Sequence, residues 1–280
     1  MPARPRLARV LVVSAFAAAL TSVGAGAQVP APEPGEPEQT NPCRVAGNDL
    51  ACPDLIMRPP YDLSLEKKNG RRLLRSTNAI VNVGRGPLEI RGRRTTDLGG
   101  FDMPARQAIR TPGGKLGLLR QPDGNVHFTP IPGQGRYWKF EDAANFELYR
   151  LDADGRKVEL VATSPKIFYC FRDLKKVRST TRTPREFVYP ACSQRGPIRA
   201  VTLGTSVGWA DIYPAGYDRN WIDVTGLSGC FAYVHIADPE QHLAEEREDN
   251  NSAQTGVRLP WQGPGRGSCP RLKLGPPELP

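Results

Sequence analysis

Residues 135–148 read GRYWKFEDAANFEL. As an extended strand, this stretch points alternate side chains to the same side, so Gly135, Tyr137 and Lys139 aim at one spot. Trp138, between them, reads as core packing. The same grammar extends outward along the chain. Short runs rich in Val, Ile, Phe and Tyr are separated by Gly, Pro, Asn and Asp, which predicts many short strands. The predicted strands are DLIM (54–57), YDLSLE (61–66), RLLRSTNAIVNVG (72–84), PLEIRG (87–92), NVHFTP (125–130), NFELYRL (145–151), KVELVA (157–162), KIFYCF (166–171), GWADIY (208–213) and GCFAYVHI (229–236).

In the third run Thr77, Ala79, Val81 and Val83 share one face by alternation. GRGP (84–87) and DADG (152–155) read as hairpin turns. Helical periodicity is scarce, and HLAEERED (242–249) makes at most one or two turns. The expected architecture is all-β, an antiparallel β-sandwich with long loops. Trp209 and Trp221, like Trp138, read as core residues.

The ends differ from the middle. Arg4, Arg6 and Arg9 precede an apolar run, Val10 to Leu20, and Ala25-Gly26-Ala27 supplies a small-x-small pattern. Together they predict a signal peptide over 1–27, since the run is shorter than the ~20 apolar residues a membrane span needs. QVPAPEPGEPEQTNP (28–42) is Pro- and Glu-rich and reads as an extended linker. A Pro/Gly-rich tail follows from 260 to 280, leaving 43–259 as one domain. No transmembrane anchor is expected once the leader is cleaved.

The formal net charge is +9, of which the leader's three arginines supply three, leaving +6. That basicity suits anionic cell-surface polymers, or simply solubility; export argues against nucleic acid. Six cysteines, at 43, 52, 170, 192, 230 and 269, form an even set that reads as disulfides in an exported, secreted or periplasmic protein. Cys43 and Cys52 can close a short loop, Cys170 and Cys192 bracket a basic loop, and Cys230 with Cys269 would strap the tail to the domain. Six cysteines allow fifteen connectivities, so this pairing is one choice among them. No CxxC spacing supports a zinc site.

PDLIMRPP with LLRSTNAIVNVGRGPLEIRG, then WKFEDAANFEL, KIFYCF, DIYPAGYDRNWIDVTGL and EEREDNNSAQ, together resemble the lysyl oxidases of bacteria and animals, in the same order, from about Pro53 to Leu259. The resemblance implies a β-sandwich whose members oxidise primary amines, typically lysine side chains, with copper and a lysine tyrosylquinone cofactor made from their own residues. In that family the opening stretch carries H-x-H-x-H, whose three imidazoles converge on one copper from one strand face. The corresponding positions here are Gly135, Tyr137 and Lys139. Glycine has no donor atom, and a phenol with a pKa of about 10 and an amine of about 10.4 hold their protons near neutrality. The spacing persists and the donors are absent.

The cofactor-forming pair implied by the resemblance is present: Lys166 in PKIFYCF and Tyr213 in WADIYPAGYDRNWID. Read alone, each is an ordinary surface lysine or buried strand tyrosine. Asp211, two residues before Tyr213, is a candidate base by position. Of the three histidines, His127, His235 and His242, the second reads as a satisfied or rim residue and the third as solvated. A copper site rebuilt from two of them is the alternative.

The resemblance also implies a calcium position with oxygen ligands from both ends of the domain: Asp54 and the Leu55 carbonyl in PDL, and Glu245, Asn250 and Asn251 in EEREDNN. Arg247 stands where the family has an aspartate, with Glu248 or Asp249 available to compensate. A solvated acidic loop is the plainer reading. Cys170 matches a family cysteine in the lysine-bearing strand, with Cys192 as its partner. The functional expectation is an exported lysyl-oxidase-like binding or envelope-surface module without copper-dependent amine oxidation, with lysine-rich or anionic cell-surface polymers as its expected partners. The alternatives are an active quinone enzyme with non-standard copper ligands, and a basic wall-binding protein sharing the fold alone.

Overall fold

A computed structural model describes residues 40–94, 102–264 and 267–273. The expected leader, the linker as far as residue 39 and the last seven residues of the tail lie outside the described residues. The described chain forms a 3-10 turn, Pro42–Arg44, and sixteen strands. These are β1 (Leu55–Met57), β2 (Tyr61–Lys68), β3 (Arg71–Asn82), β4 (Leu88–Arg93), β5 (Asp102–Arg110), β6 (Leu116–Leu119), β7 (Asn125–Ile131) and β8 (Gly135–Leu151). They continue with β9 (Lys157–Thr163), β10 (Ile167–Tyr169), β11 (Lys175–Lys176), β12 (Ala200–Thr205), β13 (Trp209–Tyr213), β14 (Trp221–Asp223), β15 (Gly229–Ala237) and β16 (Ser252–Leu259).

Two antiparallel sheets result. The larger runs β12-β4-β5-β7-β8-β15-β16, with β10 and β9 also on β8 and β6 on β5; the smaller runs β1-β3-β13-β11, with β2 and β14 also on β3. Their facing sides enclose a core that includes Leu74, Ile80, Trp138, Phe140, Phe146, Tyr169, Tyr213, Phe231 and Tyr233. Burying these large side chains between sheets is the main favourable term for such a fold.

The opening stretch is the spine of the larger sheet. Phe140 pairs with both Val126 and Tyr169, and Ala144 with both Ile167 and Ala237. Strands β7 and β15 therefore share one edge of β8, and β10 and β9 the other. Between the two halves Asp142 takes a positive φ of 44°, a conformation that Asp tolerates better than most residues. This bend separates the alternation around Lys139 from that around Phe146.

Several expectations change. GRGP is no hairpin turn: it joins β3 to β4, which lie in different sheets. Its tightness still needs glycine, because a Cβ on Gly86 would lie 1.9 Å from the Ala51 carbonyl oxygen. DADG does close the β8–β9 hairpin, with Asp152 N–H donating to Arg156 at 3.0 Å. Residues 76–82 of β3 are buried on both faces rather than one, and Val83 lies beyond the strand. No helix forms over 242–249: Asp238 accepts the N–H groups of His242 and Leu243, and Gln107 accepts that of Ala244, so side chains take the donors a helix would use. Trp138 and Trp209 are buried, whereas Trp221 is half-exposed beneath the Arg71 guanidinium.

Disulfides join Cys43 to Cys52, Cys170 to Cys192 and Cys230 to Cys269. The third holds the tail against β15. Leu272 packs by Leu151, Ala232 and Val234, and Lys273 N–H donates to Gly155 at 3.1 Å. No described helix is long and apolar enough to cross a membrane.

Candidate functional site

Strand β8 carries Lys139 on the inner face of the larger sheet, opposite β13 of the smaller one. The lysine is 2 % exposed. Its Nζ donates to the Tyr217 hydroxyl at 2.9 Å and to the Phe168 carbonyl at 3.4 Å. It also lies 4.6 Å from the ring centroid of Tyr213 and 4.5 Å from that of Tyr217. Tyr217 reaches this position because its N–H closes a turn on Pro214, immediately after β13. Tyr213 is fixed from the other sheet: its hydroxyl accepts the Cys170 N–H at 2.8 Å, and its ring packs 4.3 Å from that of Tyr169.

The electrostatics follow from burial. Desolvation lowers the Lys139 pKa to about 7, despite Asp211 and Asp218 nearby. Desolvation raises Asp211 to about 7, against the pull of Arg172 and Lys139; the Arg172 Nε lies 3.6 Å from its carboxylate. The Tyr213 phenol is pushed well above its ordinary range by burial and by Asp211. A cavity of about 250 Å³ opens here, lined among others by Tyr137, Lys139, Arg172, Tyr213 and Tyr217.

Gly135, Tyr137 and Lys139 thus do lie on one side of β8, but they do not form a donor set. Gly135 sits at the exposed start of the strand, and Tyr137 turns its hydroxyl to the Gln134 carbonyl, 3.1 Å away. Nor do the histidines rescue copper. His127 is held by Asp102 at 2.5 Å and Glu141 at 2.6 Å. His235 is fully buried, stacked on Phe146 and bonded to Ser76. His242 is half-buried, not solvated, and bonds Asp123 at 2.7 Å. Copper that needs converging imidazoles does not fit these residues.

Lys166 and Tyr213 are not brought into contact. Lys166 is exposed, and its Nζ pairs with Asp142, the residue at the β8 bend, at 2.7 Å. The amine over the Tyr213 ring is Lys139 instead. Arg172 and Tyr217 are the site residues that sequence reasoning passed over; their signal was the second tyrosine of YPAGYDRN and the arginine ending FYCFR.

The residues expected to hold calcium do assemble. Asn250 donates to Asp54 at 2.8 Å, Asn251 donates to Glu245 at 2.9 Å, and Glu245 also accepts the Leu55 N–H. Leu55 thus contributes its N–H to this cluster. Carboxylate oxygens of Asp238, Glu245 and Glu248 lie within 4.8 Å of one another. Burial raises the pKa of all three. The side-chain oxygens of Asn250 and Asn251 and Oε2 of Glu248 are buried without a hydrogen-bond partner. Arg247 turns away to pair with Asp249 at 3.0 Å.

A second, larger groove of about 1140 Å³ lies away from this site, with Arg85, Arg91, Arg110 and Arg182 on its wall. Glu89 is the one carboxylate among its described lining residues. Buried Glu89 is held below its ordinary pKa, because hydrogen bonds from Arg110, Arg91 and Tyr189 outweigh desolvation.

No curated protein matches the chain. The lysyl oxidase family model matches residues 131–262, the span from the end of β7 through β16 that contains Lys139, Lys166, Tyr213 and the acidic cluster. Over that span the chain is similar to the lysyl oxidase family.

Proposed function

We propose that this protein is an exported binding module of the lysyl oxidase family that does not carry out copper-dependent amine oxidation. One observation carries the reading: where the third copper imidazole would stand, a buried amine is bonded to Tyr217 and covered by two phenol rings. A single amine there, with no imidazole converging beside it, does not supply the nitrogen donor set that a copper centre needs. Three disulfides support an oxidising compartment. The arginine-walled groove is the proposed binding surface, suited to anionic cell-surface polymers because four guanidiniums line it and the two carboxylates paired with them, Glu89 with Arg91 and Arg110 and Glu246 with Arg85, offset them only in part.

The residues around Asp54, Glu245, Asn250 and Asn251, with Glu248, fit calcium. They are hard oxygen donors, and buried oxygens among them lack partners. When bound, the ion would serve to neutralise buried carboxylates and tie the first strand to the last.

The second reading is an amine oxidase with non-standard copper ligands. Retention of Tyr213 with a lysine amine over its ring favours it. Copper loading of the purified protein tests both readings, followed by electron paramagnetic resonance and an assay for hydrogen peroxide release from primary amines. The binding-module reading expects substoichiometric copper and no amine-dependent peroxide. Stoichiometric copper with a nitrogen-rich spectrum would overturn it. Binding of a polyuronate, absent for neutral dextran and weakened in Arg182→Glu, is expected for the groove.

A further inference from the structure

The 250 Å³ cavity has a feature that neither anion binding nor structural packing uses: its inner wall carries a primary amine, and beside it stands a guanidinium. Lys139 lines the inner end, and Arg172, about one-third exposed, lines the same cavity. The mouth is open to solvent between Gln134, Ala191 and Pro214, all exposed. We propose that Lys139 is an imine-forming lysine and that this cavity binds a small 2-oxo acid, with the carbonyl carbon at Nζ and the carboxylate on Arg172.

The chemistry balances without an oxidant or a metal. The Nζ lone pair adds to the carbonyl carbon and gives a carbinolamine. Loss of the former carbonyl oxygen as water then leaves a carbon–nitrogen double bond. One amine and one carbonyl compound become one imine and one water. The Tyr217 hydroxyl, 2.9 Å from Nζ, is placed to relay the protons. Two properties of the site suit a nucleophilic amine. Burial in an apolar, aromatic setting favours the neutral form, consistent with the lowered pKa. The cavity, about 250 Å³, has room for a small 2-oxo acid beside Lys139. Arg172 supplies the charge and fork geometry that carboxylates need. Asp211 limits that capacity by sharing the guanidinium, but its own pKa, raised to about 7, weakens its claim as a full anion.

The inference rests on the reading that Lys139 carries no metal, and its failure is separable from that reading's. Copper at the site would sink the first reading directly. The test is to incubate metal-free full chain with pyruvate and sodium cyanoborohydride, which reduces an imine to a stable secondary amine, and then map peptides by mass spectrometry. Lys139 is expected to carry one carboxyethyl group with labelling at least about tenfold above exposed Lys67 and Lys175, because an amine neutral near pH 7 reacts faster than an ammonium. Acetone, which lacks the carboxylate, is expected to label Lys139 far less. Labelling of Lys139 at or below the level of the exposed lysines would overturn the proposal. Equal labelling by acetone and pyruvate would overturn the role of Arg172. Because both measurements use the unmodified protein, no variant has to fold for the result to count.

Discussion

Lys139 has an ordinary side chain in an unusual place, and its burial has a measurable consequence for stability. The groups facing it are Asp211, Asp218, Arg172, Arg219, Tyr213 and Tyr217. Its folded pKa of about 7 lies below the unfolded value of 10.5. The unfolded chain therefore binds more protons between those values, and stability rises with pH across them. Asp211 has the opposite shift, from 3.8 to about 7; its contribution is present below the unfolded value and is lost as pH rises through about 7, mostly outside that window. Urea unfolding at pH 7 and pH 9 is expected to show wild type gaining about 2 kcal/mol more than Lys139→Met, on the usual conversion of pKa shift to free energy. Equal gains would mean the amine is not depressed. The absence of imidazoles was legible in the sequence, since a period-2 strand fixes which positions face one spot. The replacement was not, because Tyr213 and Tyr217 reach Lys139 from the opposite sheet, and local patterning carries no information on which side chains meet across a core.

At the scale of strands, β5, β7 and β8 are tied by side chains as well as by their ladders. His127 on β7 bridges Asp102 on β5 and Glu141 on β8. Burial lowers its pKa, but the hydrogen bonds to Glu141 and Asp102 outweigh burial and raise it. The contribution is thus fully present below the unfolded pKa of 6.5 and is lost as pH rises through the raised folded value. His127→Gln is expected to lose about 1 kcal/mol at pH 6, in the range for partly exposed ion pairs, and much less at pH 9; chemical denaturation at the two values checks it. Strand β12 offers a steric test. A Cβ on Gly204 would lie 2.5 Å from the Leu88 carbonyl oxygen and 2.6 Å from the Tyr189 ring. Gly204→Ala is expected to cost at least about 2 kcal/mol and to lower the melting temperature, by disturbing the β4–β12 ladder and the Tyr189–Glu89 bond together. The strands named from sequence were those with dense Val, Ile, Phe and Tyr. Strands β5 and β16, DMPARQAIR and SAQTGVRL, escaped because their apolar residues are sparse and their pairing partners define them. The apparent helical turn after Asp238 failed because buried side chains captured its backbone donors.

Over the whole molecule, the described ends of the domain meet at the acidic cluster. Asn41 donates to the Glu245 carbonyl at 3.0 Å and to Glu248 at 2.6 Å, Asp54 accepts from Asn250, and Glu246 N–H donates to Pro53 at 2.9 Å. The Cys43–Cys52 bridge sits beside this junction, with the Cys43 sulfur 3.5 Å from the Ala244 carbonyl. Two buried carboxyls, Asp238 and Glu245, and the half-buried Glu248 are costly there as anions, because desolvation and mutual repulsion act in the same direction. A divalent cation bound there would reverse both effects and would link its binding to closure of the domain. Calcium at a hundredfold excess over its dissociation constant is expected to stabilise the fold by about 2.7 kcal/mol, a rise of several degrees in melting temperature against an EGTA-treated sample. Glu245→Gln keeps the shape and removes one charge, so it is expected to abolish most of that rise while leaving the EGTA-treated protein no less stable than wild type. An unchanged melting temperature in wild type on adding calcium would mean that the carboxyls stay protonated and hydrogen-bonded, and that the ends are joined by those bonds and the disulfide alone.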